Sequence, residues 1–317
     1  MFGLIKNLHK AGVIGINKRN ADYTLRYNPR RLYPLVDDKA QTKKLALQAG
    51  IATPELYYTV EIEQQIKGLP AILEQYTEFV IKPAQGSGGD GIVVITGRRM
   101  GQYHKASGVL LTQVELQHHV SNVLSGLYSL GGQPDKALIE YRVQFDPVFE
   151  GITYLGVPDI RIITLLGVPV MAIVRLPTRS SDGKANLHQG AIGAGIDIAT
   201  GQTLTAVWKN KIISEHPDTG SHLTQVQVPH WDRILQIAAQ CYDMTGLGYQ
   251  GVDIVLDRDK GPLILELNAR PGLNIQIANN TGLLHRLQMV EQHIATLTDI
   301  PSRIQFARQH FGITTAA

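Results

Sequence analysis

GVDIVLDRDKGPLILELNARPG, residues 251–272, decides how the rest of the chain is read. Two apolar runs flank Asp257, Arg258, Asp259, Lys260 and Gly261, which is the pattern of a β-hairpin. If Asp257 pairs with Pro262, Asp253 stands directly opposite Glu266, and Asn268 falls on the same face two residues on. Like charges across a strand pair, with Cβ atoms roughly 4.5–5.5 Å apart, repel. A divalent cation removes that penalty, and two carboxylates beside an amide oxygen suit Mg2+ that also touches phosphates. Arg270 follows, placed to meet a phosphate. The competing reading is a surface hairpin with solvated charges. It fits poorly with the apolar neighbours that flank each polar residue.

A second signal lies upstream in EFVIKPAQGSGGDGIVVI, residues 78–95. A strand enters a loop containing Gly86, Gly88, Gly89 and Gly91, and a second strand leaves it. Phosphate loops of the P-loop and Rossmann kinds run from strand to helix. Here the loop sits in a hairpin and can fold over phosphates as a flap. Its glycines, with Ser87, let backbone N–H groups approach anionic oxygens. Lys82 brings a positive charge to its mouth. A glycine loop alone reads equally well as a flexible turn; with the lysine and the later carboxylate hairpin the combination is stronger.

Between these signals the pattern alternates strands and helices. A helix is expected from Asp37 or Asp38, either a possible N-cap, to Gly50. Another is expected over Leu111 to Leu130, with His118 and His119 as surface residues, and a third over Trp231 to Met244. Ala137 to Val143 reads as a strand entering a linker. Asp159 to Leu166 and Met171 to Arg175 read as strands about a Gly167-Val-Pro169 turn. Asp159 and Arg161 share a face and could pair or bind substrate together. In the polar loop Thr178 to Gly190, Lys184, Asn186 and His188 are candidates for substrate contact.

Composition sets the outer limits. The 317 residues are 44% hydrophobic and 18% charged, as in a soluble globular enzyme, and suffice for one large domain or two modest ones. One cysteine, Cys241, allows no internal disulfide and reads as a core residue. No apolar run is long enough to span a bilayer, and no secretory leader is evident, so a cytoplasmic location is expected. The first 36 residues hold seven Lys or Arg, from Lys6 to Arg31, against the single Asp22. Such a basic arm can meet an acidic partner, or lie solvated along a lobe. Nucleic-acid binding is a poor reading, because no aromatic residues interleave with basic ones elsewhere.

Taken together the motifs resemble the ATP-grasp ligases, in particular the RimK-type glutamate ligases and alpha-L-glutamate ligase-like proteins. The resemblance covers about Asp37 to about Gly282. It rests on Lys82-Pro with the Gly86–Gly91 loop, Asp159-Ile-Arg161, Asn186-Leu-His188-Gln-Gly190, and Asp253 with Glu266-Leu-Asn268-Ala-Arg270. It implies an α+β fold of two lobes gripping ATP: an arm over 1–36, an N-lobe over 37–139 and a C-lobe over 140–317. By carry-over Lys39 and Lys82 contact the nucleotide phosphates and the glycine loop covers them. Glu140, Tyr141, Arg142 and Val143 form the hinge that holds adenine. Asp253, Glu266 and Asn268 hold Mg2+, with Mn2+ as an alternative, and Arg270 meets the transferred phosphoryl group. Arg161, Arg175 and Asn186 face the acyl phosphate or the substrate carboxylate.

The implied reaction is ADP-forming amide synthesis through an acyl phosphate, joining a small-molecule or peptide carboxylate to an amine, with addition of glutamate to a peptide or small-molecule acceptor as one form of it. The departure is at the start, where 38 residues precede Lys39, too few for the Rossmann-like domain usual in such ligases. Acceptor identity is therefore not carried by the resemblance. A sugar-transfer-associated ATP-grasp enzyme and a non-catalytic ATP-binding scaffold stand as alternatives.

Overall fold

The structure is a computed structural model, and it describes residues 7–8, 10–86 and 88–313. Two compact units emerge. The smaller comprises Asp37–Lys43 and Thr53–Val143; the larger takes the described residues up to Val36, Lys44–Ala52, and those from Gln144 on. No helix among the described residues is long and apolar enough to cross a membrane.

The boundary between units runs through helix α1 (Lys39–Gln48). Of the two candidate caps Asp38 serves: its Oδ1 accepts from the Ala40 N–H at 2.8 Å. The smaller unit is a six-stranded antiparallel sheet of β1 (Leu56–Val60), β2 (Phe79–Pro83), β3 (Val93–Arg99), β4 (Gln102–Lys105), β5 (Leu110–Leu111) and β6 (Ala137–Glu140), in the order β1-β6-β2-β3-β4-β5. Helix α2 (Gln113–Leu124) starts at a Thr112–Glu115 capping box. It buries Leu116, Val120 and Val123 in a core with Phe79, Ile81, Ile95 and Ile139. The helix stops well short of the Leu130 expected from its apolar spacing. Gly126 takes φ 84°, and a Cβ there would lie 2.2 Å from the Gln133 carbonyl oxygen, so the chain turns rather than continuing.

The larger unit carries a seven-stranded antiparallel sheet. Its strands are β7 (Asp159–Leu165), β8 (Val168–Leu176), β9 (Ile192–Ile196), β10 (Thr203–Trp208), β11 (Lys211–Ile213), β12 (Tyr249–Asp257) and β13 (Gly261–Asn268). They lie in the order β11-β10-β9-β8-β7-β12-β13. Helix α3 (Trp231–Thr245) buries Ile234, Leu235, Ile237, Ala238 and Cys241 in its core. Cys241 is fully buried and its thiol is pushed up by burial, consistent with a packing role. Helices α4 (Ile275–Ala278), α5 (Leu284–His293) and α6 (Ile300–Phe311) complete the unit.

The described part of the basic arm folds onto this unit as short helical turns, including a six-residue π-helical turn, Arg19–Thr24. Asn28 brackets the start of β12, accepting from the Tyr249 N–H at 2.9 Å and donating to the Tyr249 carbonyl at 2.6 Å. Arg19 donates to the Pro271 carbonyl at 2.6 Å. Lys18 pairs with Asp22 and Arg26 with Glu291, so part of the arm's positive charge is met within the chain. Lys6 lies outside the described residues.

Candidate functional site

The hairpin that opened the reading is β12–β13, and it brings Asp253 opposite Glu266, though not by uniform pairing. Asp257 meets Gly261 rather than Pro262, and Ile254 meets Ile264. Leu265 is therefore the extra residue of a β-bulge, which shifts the register by one immediately before the carboxylates. The bulge is invisible in the apolar pattern, because it falls within the Leu263-Ile264-Leu265 run, where no polar residue marks a face.

Asp253 is fully buried, and the charge that relieves it belongs to the protein itself. Its cross-strand neighbour on β7 is Arg161, whose Nε and Nη2 donate to the two carboxylate oxygens at 2.6 and 2.5 Å. Arg175 lies opposite Asp159 and donates to both its oxygens; its Nη2 also reaches Asp253 Oδ2 at 2.9 Å. Asp159 and Arg161 therefore do not pair with each other. Directly opposed residues on neighbouring strands lie closer than residues two apart along one strand, and the cross-strand partners win. Burial pushes the Asp253 carboxyl up, but Arg161 and then Arg175 outweigh it and hold it well below the usual range. Asn268 Nδ2 lies 3.2 Å from Asp253 Oδ2 and 3.4 Å from Glu266 Oε1, and Arg161 Nη2 is 4.0 Å from Glu266.

Three carboxylates thus meet two guanidinium groups around an amide, leaving room in the charge balance for a cation. The donor types are those Mg2+ takes, Asp253, Glu266 and, with its amide turned about χ2, Asn268 Oδ1, but both Asp253 oxygens already accept from Arg161 and Arg175. Among the described residues no three His, Cys, Asp or Glu side chains converge as a metal group, so the candidate set remains two carboxylates and an amide. Arg270 stands apart from these hydrogen bonds, exposed, with its guanidinium 5.2 Å from the Tyr33 ring centre. Asn186 caps a short turn, its Oδ1 accepting from the His188 N–H at 3.0 Å, and no hydrogen bond links it to the arginine cluster among the described residues.

In the smaller unit the phosphate-site candidates gather around one buried carboxylate. Lys82 on β2 pairs with Glu140 Oε1 at 2.5 Å, and Lys43 on α1 pairs with Oε2 at 2.8 Å. All three are nearly sealed from solvent. Burial lowers Lys43 to about 8 against the opposing pull of Glu140. The two lysines hold Glu140 below the usual carboxylate range in spite of its burial. Lys39 donates to the Gly86 carbonyl at 2.6 Å. Arg142 pairs with Glu78 at 2.9 Å, the Tyr141 N–H donates to the Glu55 carbonyl at 2.8 Å, and Val143 is buried.

The glycine loop joins β2 to β3 as the hairpin reading required, and it is fastened at both ends. At Gly86 a Cβ would lie 2.3 Å from Pro83, and Gly86 forms a bridge with Ser129. Gly88 and Gly89 follow with φ of 67° and 81°. At Gly91, φ 74°, a Cβ would meet the Tyr128 ring at 2.5 Å, and the carbonyl lies 3.0 Å from His119 Nε2. His119, expected on the surface, is therefore half-buried beneath the loop, and burial lowers its imidazole. Ser87 lies outside the described residues.

Sequence reasoning missed Lys43 and the pairing role of Asp159. Lys43 carried a usable signal, since it stands four residues from Lys39 and so on the same helical face. The pairing of Asp159 with Arg175 required the β7–β8 register.

The family described as Sugar-transfer associated ATP-grasp matches residues 18–292, and the chain belongs to that family. No curated protein matches the sequence. Solved structures with a similar fold include the ATP-grasp ligase PsnB bound to a minimal precursor, at 14% identity and a TM-score of 0.45 over 85% of this chain and 63% of that one. D-alanine–D-alanine ligase from Bacillus anthracis is similar at 15% identity and a TM-score of 0.44, over 88% and 70% of the two chains. The D-cycloserine synthetase DcsG gives 17% and 0.47, over 84% and 73%. The chain thus spans under two thirds of PsnB.

Proposed function

Starting from membership in that ATP-grasp family, we propose that the chain is an ATP- and Mg2+-dependent, ADP-forming ligase that joins a carboxylate to an amine through an acyl phosphate. The observation that carries this reading is the bulged β12–β13 pair, which sets buried Asp253 against Glu266 with Asn268, Arg161 and Arg175 around them. A carboxylate is a poor electrophile, and phosphorylation makes it one that a neutral amine attacks. Bound Mg2+ neutralises phosphate charge, and Asp253, Glu266 and Asn268 are the residues that would hold it. Phosphoryl transfer depends on position and charge more than on any nucleophile of the protein. Lys82, with Lys39 and the N–H groups around Gly86, Gly88, Gly89 and Gly91, supplies donors for the phosphates. Residues 140–143 offer backbone to the base, since the Glu140 side chain is engaged by lysines. Arg161, Arg175 and Asn186 face the acid being activated, and Arg270 the transferred group.

The glutamate-specific, RimK-type version is one form of this proposal. The family match favours a second, in which the acid or amine belongs to sugar-linked metabolism. Incubation with ATP, Mg2+ and pools of amino acids, peptides and amino sugars should release ADP and yield an amide, with Glu266→Gln reducing turnover at least a hundredfold. Tight ATP binding with no ADP release from any pool would leave the scaffold reading in its place.

A further inference from the structure

A cavity of about 420 Å3 lies in the larger unit beside the Asn186–Gly190 turn, within the size range of small-molecule sites. Its position relative to the arginine cluster follows from the sheet. Asp159 pairs with Arg175, Arg175 with Gly193, and Gly193 with Val207, so all four positions share one face of β7, β8, β9 and β10. Val207 lines the cavity. At about 4.8 Å per strand it stands roughly 10 Å from Arg175 along that row. Gly193, between them, has no side chain; a Cβ there would meet Leu187, another wall residue, at 2.9 Å.

The wall chemistry is one-sided. Among the described residues that line it none is acidic, while His188, Lys209, Gln189, Asn210 and Asn274 are among its walls. Gln189 Oε1, in the wall, is buried without a hydrogen-bond partner. Lys209 is held in an unusual way. It and Asn210 form the β10–β11 turn with φ of 48° and 64°, a conformation where glycine or asparagine is the usual choice. A lysine there carries backbone strain, as eight other described non-glycine residues with positive φ do. Its ammonium lies 4.4 Å from the Trp208 ring centre, and the Trp208 indole N–H donates to the Gly190 carbonyl at 2.9 Å. The cation is thus tied through Trp208 to the cavity wall.

We propose that this cavity binds the acid that the enzyme activates, and that this acid carries a second anionic group, carboxylate or phosphate, held by Lys209 and His188 about two strands from Arg175. The proposal rests on the ligase reading for the identity of the arginine end, but its test does not require turnover. Calorimetric titration of the full chain would use L-alanyl-L-glutamate, L-alanyl-O-phosphoserine and, as the neutral control, L-alanyl-L-glutamine. One of the two probes with a second anionic group should bind at least tenfold more tightly than the control, and which one does so separates carboxylate from phosphate. Lys209→Gly, which relieves the left-handed turn and keeps the fold, should remove that advantage, and His188→Gln should reduce it. Equal binding of charged and neutral probes, no binding into the millimolar range, or affinity unchanged in folded Lys209→Gly would overturn the proposal. Anion-selective binding without ADP release would leave the cavity assignment standing and remove the ligase reading.

Discussion

Replacing Arg161 by Met tests whether the buried carboxylate at the centre of the site depends on its guanidinium partner. Asp253 is fully buried and would lose two charge-assisted hydrogen bonds, at 2.6 and 2.5 Å. It would keep two, from Arg175 at 2.9 Å and from the Asn268 amide at 3.2 Å. Removing one partner of a buried pair typically costs 3–5 kcal/mol, and the surviving bonds put the expected loss near the lower end, about 3 kcal/mol. With a urea slope of about 2 kcal/mol/M, the unfolding midpoint should fall by roughly 1.5 M. The chain's two tryptophans, Trp208 and Trp231, both belong to the larger unit, so their fluorescence follows that unit. The pH dependence has a defined sign. Arg161 depresses the folded Asp253 carboxyl, so its stabilisation is present above the unfolded value of about 3.9 and is lost as pH falls through the lower folded value. The difference between wild type and variant should therefore be full at pH 7 and shrink in strong acid. If Asp253, Glu266 and Asn268 accept Mg2+, millimolar Mg2+ should raise the midpoint of the variant more than that of the wild type, because the ion replaces the missing positive charge. A midpoint shift under about 0.3 M, or additivity of Arg161→Met with Asp253→Asn in a double-mutant cycle, would refute the reasoning.

In the smaller unit, Glu140→Gln leaves Lys43 and Lys82 buried without their shared carboxylate. It should destabilise that unit by about 3–5 kcal/mol, seen as faster amide exchange in peptides covering β2 and β6. Lys43 is lowered to about 8, so between that pH and its unfolded value of about 10.4 the unfolded chain binds more protons and stability should rise with pH. Lys43→Met should flatten that rise in the same peptides measured side by side at each pH. Gly91→Ala forces a Cβ to within 2.5 Å of the Tyr128 ring at φ 74° and should lower the melting temperature, with a cost of about 2 kcal/mol or more. Adding Tyr128→Ala should recover the clash but not the backbone strain; a fully neutral Gly91→Ala would show that the loop is not fastened there.

How far the sequence reached can be judged from particular elements. Helix α3, the β7–β8 hairpin and the glycine-loop hairpin were legible because each depends on local periodicity and turn residues, which the chain carries within a few positions. Apolar spacing through Leu127 predicts a longer α2, while the stop depends on the chain turning back at Gly126 against the Gln133 carbonyl, which periodicity does not register. The basic arm gave only its charge; its fastening to Tyr249 and Pro271 comes from residues more than two hundred positions away.

By itself the sequence determined that two apolar runs would fold as the β12–β13 hairpin and that a lysine would stand at the mouth of a glycine loop, whereas Asp253 meets Glu266 rather than Leu265 only because of the bulge. Strand alternation and turn chemistry are properties of neighbours in the chain. Only the tertiary structure decided that Arg161 takes Asp253 and Arg175 takes Asp159, and that one carboxylate serves both Lys43 and Lys82. The first two follow from the β7–β12 and β7–β8 registers, the third from Lys82 and Glu140 lying on neighbouring strands with α1 bringing Lys43 to them. Buried charges are paired across strands by register, and register is a property of the assembled sheet.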